Sequence, residues 1–214
     1  MTPLHYSAQS GSFDVAELLI KHNATADFKT HGQITPLHYA AKSGSFDVAQ
    51  LLIKHNANVD AKDEQQMTPL HYAAESGSSD VVKLLIDHSA NVDAKANEQM
   101  TPLHYAAQSV RQSGSSDVAE LLIKHNATVD AQTDYGMTPL HYAAKNSNAI
   151  IYKILYLHGA NINASDNFEH KDDTPYNINP SLGETIIASI KSDERIQSAK
   201  KFIPTETRSV GKPS

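Results

Sequence analysis

The sequence predicts an all-α repeat solenoid, a stack of helix-turn-helix units joined by short β-hairpin connections. Three observations predict it. The tetrad TPLH recurs at Thr2, Thr35, Thr68, Thr101 and Thr138, spaced 33, 33, 33 and 37 residues apart, and a worn copy, TPYN, follows at Thr174. The copies are close, with 21 of 26 positions identical between residues 2–27 and 35–60. Each unit also carries two apolar stripes at helical spacing, and so short a helix pair buries its apolar face only against a neighbour.

The third unit shows how each element arises. Thr68 is a helix N-cap, and Pro69 follows at the first helical position, where its missing N–H costs nothing and its φ is already helical. Leu70, Ala73 and Ala74 form a narrow stripe whose small members admit a close neighbour. Gly77 ends this first helix, and Ser78 or Ser79 with Asp80 opens the second with an oxygen and a negative charge. Val81, Val82, Leu84, Leu85 and Ile86 give that helix a broader apolar face. His88 and Ser89 close it; the other units have Asn23, Asn56, Asn126 or Gly159 at the Ser89 position, types that accept the left-handed conformation. The NVDAK segment after it reads as extended and then turning.

Composition agrees with a packed chain. Of 214 residues, 40% are hydrophobic and 20% charged, which are globular values. The net charge of -6 argues against a general affinity for nucleic acid. The end of the chain is locally basic, with Arg195, Lys200, Lys201, Arg208 and Lys212 against Glu206 alone. Cysteine is absent, which excludes disulfides, thiolate metal sites and cysteine nucleophiles and fits a cytoplasmic address. No signal peptide is expected, because the opening MTPLHYSAQS lacks a basic segment followed by an apolar run, and no transmembrane segment, because the longest apolar stretch, AIIYKILYL at 149–157, is too short to span a bilayer.

The period of 33 with TPLHxA resembles the ankyrin-repeat family over residues 1 to about 167. The repeat domain is expected at 1–191, with units at about 1–29, 30–62, 63–95, 96–132 and 133–168 and a degenerate cap at 173–191. Residues 192–214 read as a basic, flexible tail. Pro180 is expected to interrupt the first helix of the cap, with Gly183 and TIIASI fitting its second. The family usually has glycine two residues before the TPLH threonine. Gly136 obeys, but Gln33, Gln66 and Gln99 stand there in the other units, so looser hairpin turns are expected.

The resemblance implies a protein-binding scaffold without catalytic residues, cofactor or metal, and a monomer. It also implies that His5, His38, His71, His104 and His141 bond the TPLH threonine and adjoining backbone, a structural task. His22, His55, His88, His125 and His158 end the second helices, where a cation complements the dipole. Adjacent carboxylates such as Asp63 and Glu64 read as solvated turn charges, because no pocket is implied beside them. Tyr6, Tyr39, Tyr72, Tyr105 and Tyr142 form an aromatic ladder read as packing between units. No phosphate-binding glycine loop, nucleophile elbow or zinc helix is present.

Family members usually meet partners on a concave face of hairpin tips and first helices. Carried over by position, the tips contribute Ile34, then Glu64, Gln65 and Met67, then Asn97, Glu98 and Met100, then Asp134, Tyr135 and Met137. The first helices contribute Lys42, Glu75, Gln108 and Lys145. The apolar series Ile34, Met67, Met100 and Met137 has two readings, an adaptable contact row or side chains tucked beneath their own hairpins. The charged series varies from unit to unit, which suits selection of a protein by complementary charge, as does drift after duplication. Similar repetitive proteins include host-directed effectors, and a targeting fragment of a larger enzyme or toxin is the rival reading. A third reading has the basic tail docking on anionic membrane or nucleic acid.

The fourth unit carries four additional residues, Val110, Arg111, Gln112 and Ser113. Four residues are near one helical turn, so the insertion is expected to lengthen the first helix while keeping Leu103, Ala106 and Ala107 in phase. A bulged loop before Gly114 is the alternative. Val110, Arg111 and Gln112 then join the candidate partner contacts.

Overall fold

A computed structural model describes residues 1–109, 114–167 and 173–201, without the side chains of 194–201. The described residues form twelve α-helices and one 3-10 turn, with no β-strand. The first helices are α1 (Pro3–Ser10), α3 (Pro36–Ser43), α5 (Pro69–Ser76), α7 (Pro102–Gln108), α9 (Pro139–Lys145) and α11 (Pro175–Ile178). They pack side by side in chain order as one layer. The second layer holds α2 (Phe13–Lys21), α4 (Phe46–Lys54), α6 (Ser79–Asp87), α8 (Ser115–Lys124), α10 (Ala149–Leu157) and α12 (Pro180–Lys201).

One continuous apolar core runs between the layers. Leu4, Leu37, Leu70, Leu103 and Leu140 line it from the first helices, and Leu52, Leu85, Leu122 and Leu155 from the second. The paired alanines Ala40–Ala41, Ala73–Ala74, Ala106–Ala107 and Ala143–Ala144 are fully or almost fully buried, and their small size permits the close helix packing. The positive φ values expected at the second-helix ends occur at Asn23, Asn56, Ser89, Asn126 and Gly159.

The connections correct the β-hairpin expectation. Each tip is a tight turn across which a backbone bond runs from Thr30 N–H to Ile34 O, Asp63 to Met67, Ala96 to Met100 or Thr133 to Met137, at 2.9 to 3.1 Å. One backbone bond also links each tip to the next: Glu64 N–H to Gly32 O, Asn97 to Gln65, Asp134 to Glu98 and Asn167 to Tyr135. The pairing goes no further than these turn bonds, and no strand forms among the described residues. Nor are the glutamine turns loose. Gln33 and Gln66 both take φ 59° and donate to Thr30 O and Asp63 O at 3.0 Å, as Gly136 donates to Thr133 O at 2.9 Å. The tip of the fourth unit differs, with Glu98 and Gln99 both left-handed.

The insertion does not lengthen the first helix of its unit. α7 ends at Gln108, and Ser109 is extended at φ -72°, ψ 110°. The second helix gains a residue instead: α8 begins at Ser115, whereas its counterpart Ser78 is the cap of α6. Gly114 lies at φ -92°, unlike the left-handed Gly11, Gly44 and Gly77. Its α-carbon faces the neighbouring unit so closely that any β-carbon would run into the Gly77 carbonyl oxygen.

The cap departs from expectation in two ways. α11 stops after four residues and Pro180 opens α12, so proline acts as a helix starter as well as a breaker. Gly183 lies within α12, where a β-carbon would meet the Tyr176 ring at 3.0 Å and the Tyr152 hydroxyl at 3.3 Å. α12 continues to Lys201, so the expected flexible segment from 192 is helical in its first part.

Candidate functional site

The TPLH histidines hold the units together. In the third unit His71 Nδ1 accepts the Thr68 N–H at 3.0 Å and lies 2.9 Å from Thr68 Oγ1, while Nε2 lies 3.1 Å from the Met100 carbonyl. A carbonyl only accepts, so Nε2 carries the proton and Nδ1 is bare, receiving both threonine donors. The same bonds join His5 to Ile34 O, His38 to Met67 O, His104 to Met137 O and His141 to Asp173 O, each at 3.1 Å. Burial lowers the basicity of all five rings, to about 4 for His71 and His104. The rings are therefore neutral at pH 7, with both nitrogens in use and no lone pair left for a metal.

The tyrosine ladder packs between units. Tyr39, Tyr72, Tyr105 and Tyr142 each meet the histidine of the preceding unit edge to face, with centroids 5.4 to 5.8 Å apart. Burial raises the Tyr105 phenol to about 12. Tyr72 also donates to Asp63 Oδ2 at 2.7 Å, and Asp63 Oδ1 accepts the Met67 N–H at 2.8 Å. Asp63 is thus a buried turn acceptor, not a solvated charge, because the tip's inward N–H needs a partner. Thr30 and Thr133 do the same for Ile34 and Met137, whereas the Ala96 side chain has no oxygen and the Met100 N–H donates to Asn97 O at 3.3 Å instead.

A second ladder was not anticipated from the repeat. Asp27, Asp60, Asp93 and Asp130 accept the N–H of Asn58, Asn91, Thr128 and Asn161 in the next unit at 2.9 to 3.0 Å. The recurring aspartate in the A/V-D step was its only trace in the sequence.

The predicted contact residues divide clearly. Lys42, Glu64, Gln65, Glu75, Asn97, Glu98, Gln108, Asp134, Tyr135 and Lys145 are exposed along the tips and first helices. Glu64, Glu98 and Asp134 put one carboxylate on each of three successive tips, and Lys42 lies 5.7 Å over the Tyr72 ring. Ile34 is half-buried. Met67, Met100 and Met137 are only 8 to 9% exposed, so the tucked arrangement holds and they form no open row. Their thioethers fill the space beneath the tips, where Met100 Sδ lies 3.9 Å from the Tyr142 hydroxyl. Val110, Arg111 and Gln112 fall outside the described residues.

Stacked two-helix units, five of them tied to the next by a buried histidine and exposing a variable edge of tips, define the class: a helical repeat stack. The family model for ankyrin repeats (3 copies) matches residues 1–63, 56–133 and 110–166. The chain belongs to the ankyrin-repeat family, whose members are generally protein–protein interaction modules and typically non-catalytic. No curated protein matches the sequence. Among the described residues no helix is long and apolar enough to cross a membrane.

Proposed function

We propose that the chain is a non-catalytic scaffold that binds protein partners through the edge formed by its tips and first helices. The observation that carries this reading is the contrast along that edge. Scaffold positions repeat almost unchanged, while the exposed ones vary from Lys42 to Glu75, Gln108 and Lys145, and the tips align Glu64, Glu98 and Asp134. A rigid, preformed array loses little conformational freedom on binding. Its acidic tips favour a partner with a basic segment, and spacing between units sets which charges it must match. An intracellular address accompanies this reading.

Affinity capture from the native cell tests it, comparing the intact chain with Glu64→Lys/Glu98→Lys/Asp134→Lys and with a chain lacking residues 110–113. Loss of the same captured protein from both altered chains, with melting unchanged, is the expected result. Capture unaffected by the charge reversal would remove the tip edge from the proposal.

A further inference from the structure

The face opposite the tips carries a local departure of its own. Four second helices place aspartate at their second aligned position, Asp14, Asp47, Asp80 and Asp117, and a charged residue at the ninth, Lys21, Lys54, Asp87 and Lys124. In α10 these positions are Ile150 and Leu157, so this helix has no acid in its first turn and no base in its last. Both changes forgo favourable interaction with the helix dipole. Neither is repaid by burial, since Ile150 is 64% and Leu157 56% exposed. A local rule broken at two positions on one edge, without a gain inside the chain, marks a surface used in contact.

The two side chains border a groove of about 480 Å³ between α8, α10 and α12, whose floor includes Ile154 and Ile186. One rim carries Lys153, already 3.6 Å from Asp193 Oδ2. The other carries Glu120, which is exposed and has no ion-pair partner among the described residues. The groove is therefore apolar with one uncompensated negative charge. We propose that it docks an amphipathic helix of a partner protein, presenting an apolar stripe flanked by lysine or arginine opposite Glu120.

A helix is specified over a strand because all three walls are helices with their backbone bonds made internally, leaving no donors for an added strand. Ile150 and Leu157 are seven residues apart, or about 10 Å along α10, which matches anchors at i, i+3 or i+4 and i+7 on a helix lying beside it. This proposal is independent of the tip edge, which lies on the other layer.

The sister units supply the variant. Ile150→Asp/Leu157→Lys installs residues that the same positions hold elsewhere in this fold, so folding is preserved, and thermal melting verifies it. The probes are two helix-stabilised peptides of about 18 residues, with identical leucine stripes and lysine or glutamate flanks, titrated calorimetrically against the full chain. The lysine-flanked peptide is expected to bind in the micromolar range, and at least about ten-fold more weakly to the double variant and to Glu120→Lys. Absence of binding, equal affinity for both peptides, or affinity unchanged in the variants overturns the proposal. So does a dimer of the unmodified chain that the double variant dissociates, which would assign the groove to a second copy.

Discussion

His104 Nε2 and the Met137 carbonyl oxygen are 3.1 Å apart across 33 residues, the same separation that joins His71 to Met100 across 29. The four additional residues of the fourth unit thus lie between two partners whose contact is unaltered. Deleting 110–113 should restore the turn of the third unit, with Gly114 free to adopt the left-handed conformation of Gly77. The melting temperature is expected to move by less than about 3 °C. A larger fall in a calorimetric scan would show that the insertion carries stack energy.

The histidine ladder predicts acid sensitivity. In the unfolded chain histidine titrates near 6.5, but His71 and His104 titrate near 4 when folded. Between these values the unfolded state binds more protons, so stability is present above pH 6.5 and falls as pH drops toward 4. Each of the two contributes a loss of roughly 3 kcal/mol by pH 4, and His38, lowered in the same direction, adds to it. Urea titrations at several pH values check this; stability flat from pH 7 to 5 would refute it.

Gly114 predicts a sharp substitution effect. Because a β-carbon there meets the rigid Gly77 backbone, Gly114→Ala should cost about 3 kcal/mol. At Gly159 nothing lies within 4 Å, so Gly159→Ala bears only its left-handed strain, about 1 kcal/mol. The ratio of the two losses in denaturant midpoints separates contact from backbone strain.

Asp63 and Ala96 occupy the same place in successive tips and predict opposite outcomes. Asp63→Ala strands the Met67 N–H and the Tyr72 hydroxyl and should cost about 2 kcal/mol. The Met100 N–H already donates to Asn97 O at 3.3 Å, so Ala96→Asp exchanges a long bond for a shorter one to a carboxylate, with Tyr105 nine residues on as Tyr72 is from Asp63, and should add at most about 1 kcal/mol. Paired thermal melts of the two variants decide it, and destabilisation by Ala96→Asp would show that the Asn97–Gln99 turn excludes the side chain.

The sequence by itself determined the repeat, the helix pair in each unit, its threonine caps, its left-handed ends and the burial of the paired alanines. All of these follow from short-range pattern, which is legible because the capping and periodicity rules act within a few residues and were repeated five times. The structural role of the TPLH histidines was also legible, though only through the family resemblance. The stacked structure alone decided how far each side chain is covered. It buried Asp63 and the three tip methionines, used Asp27, Asp60, Asp93 and Asp130 to bond the next unit, ended α7 at Gln108, and left Ile150 and Leu157 exposed. Burial and hydrogen-bond partners are properties of what a neighbouring unit places opposite a residue, and residues about 30 positions away supply them.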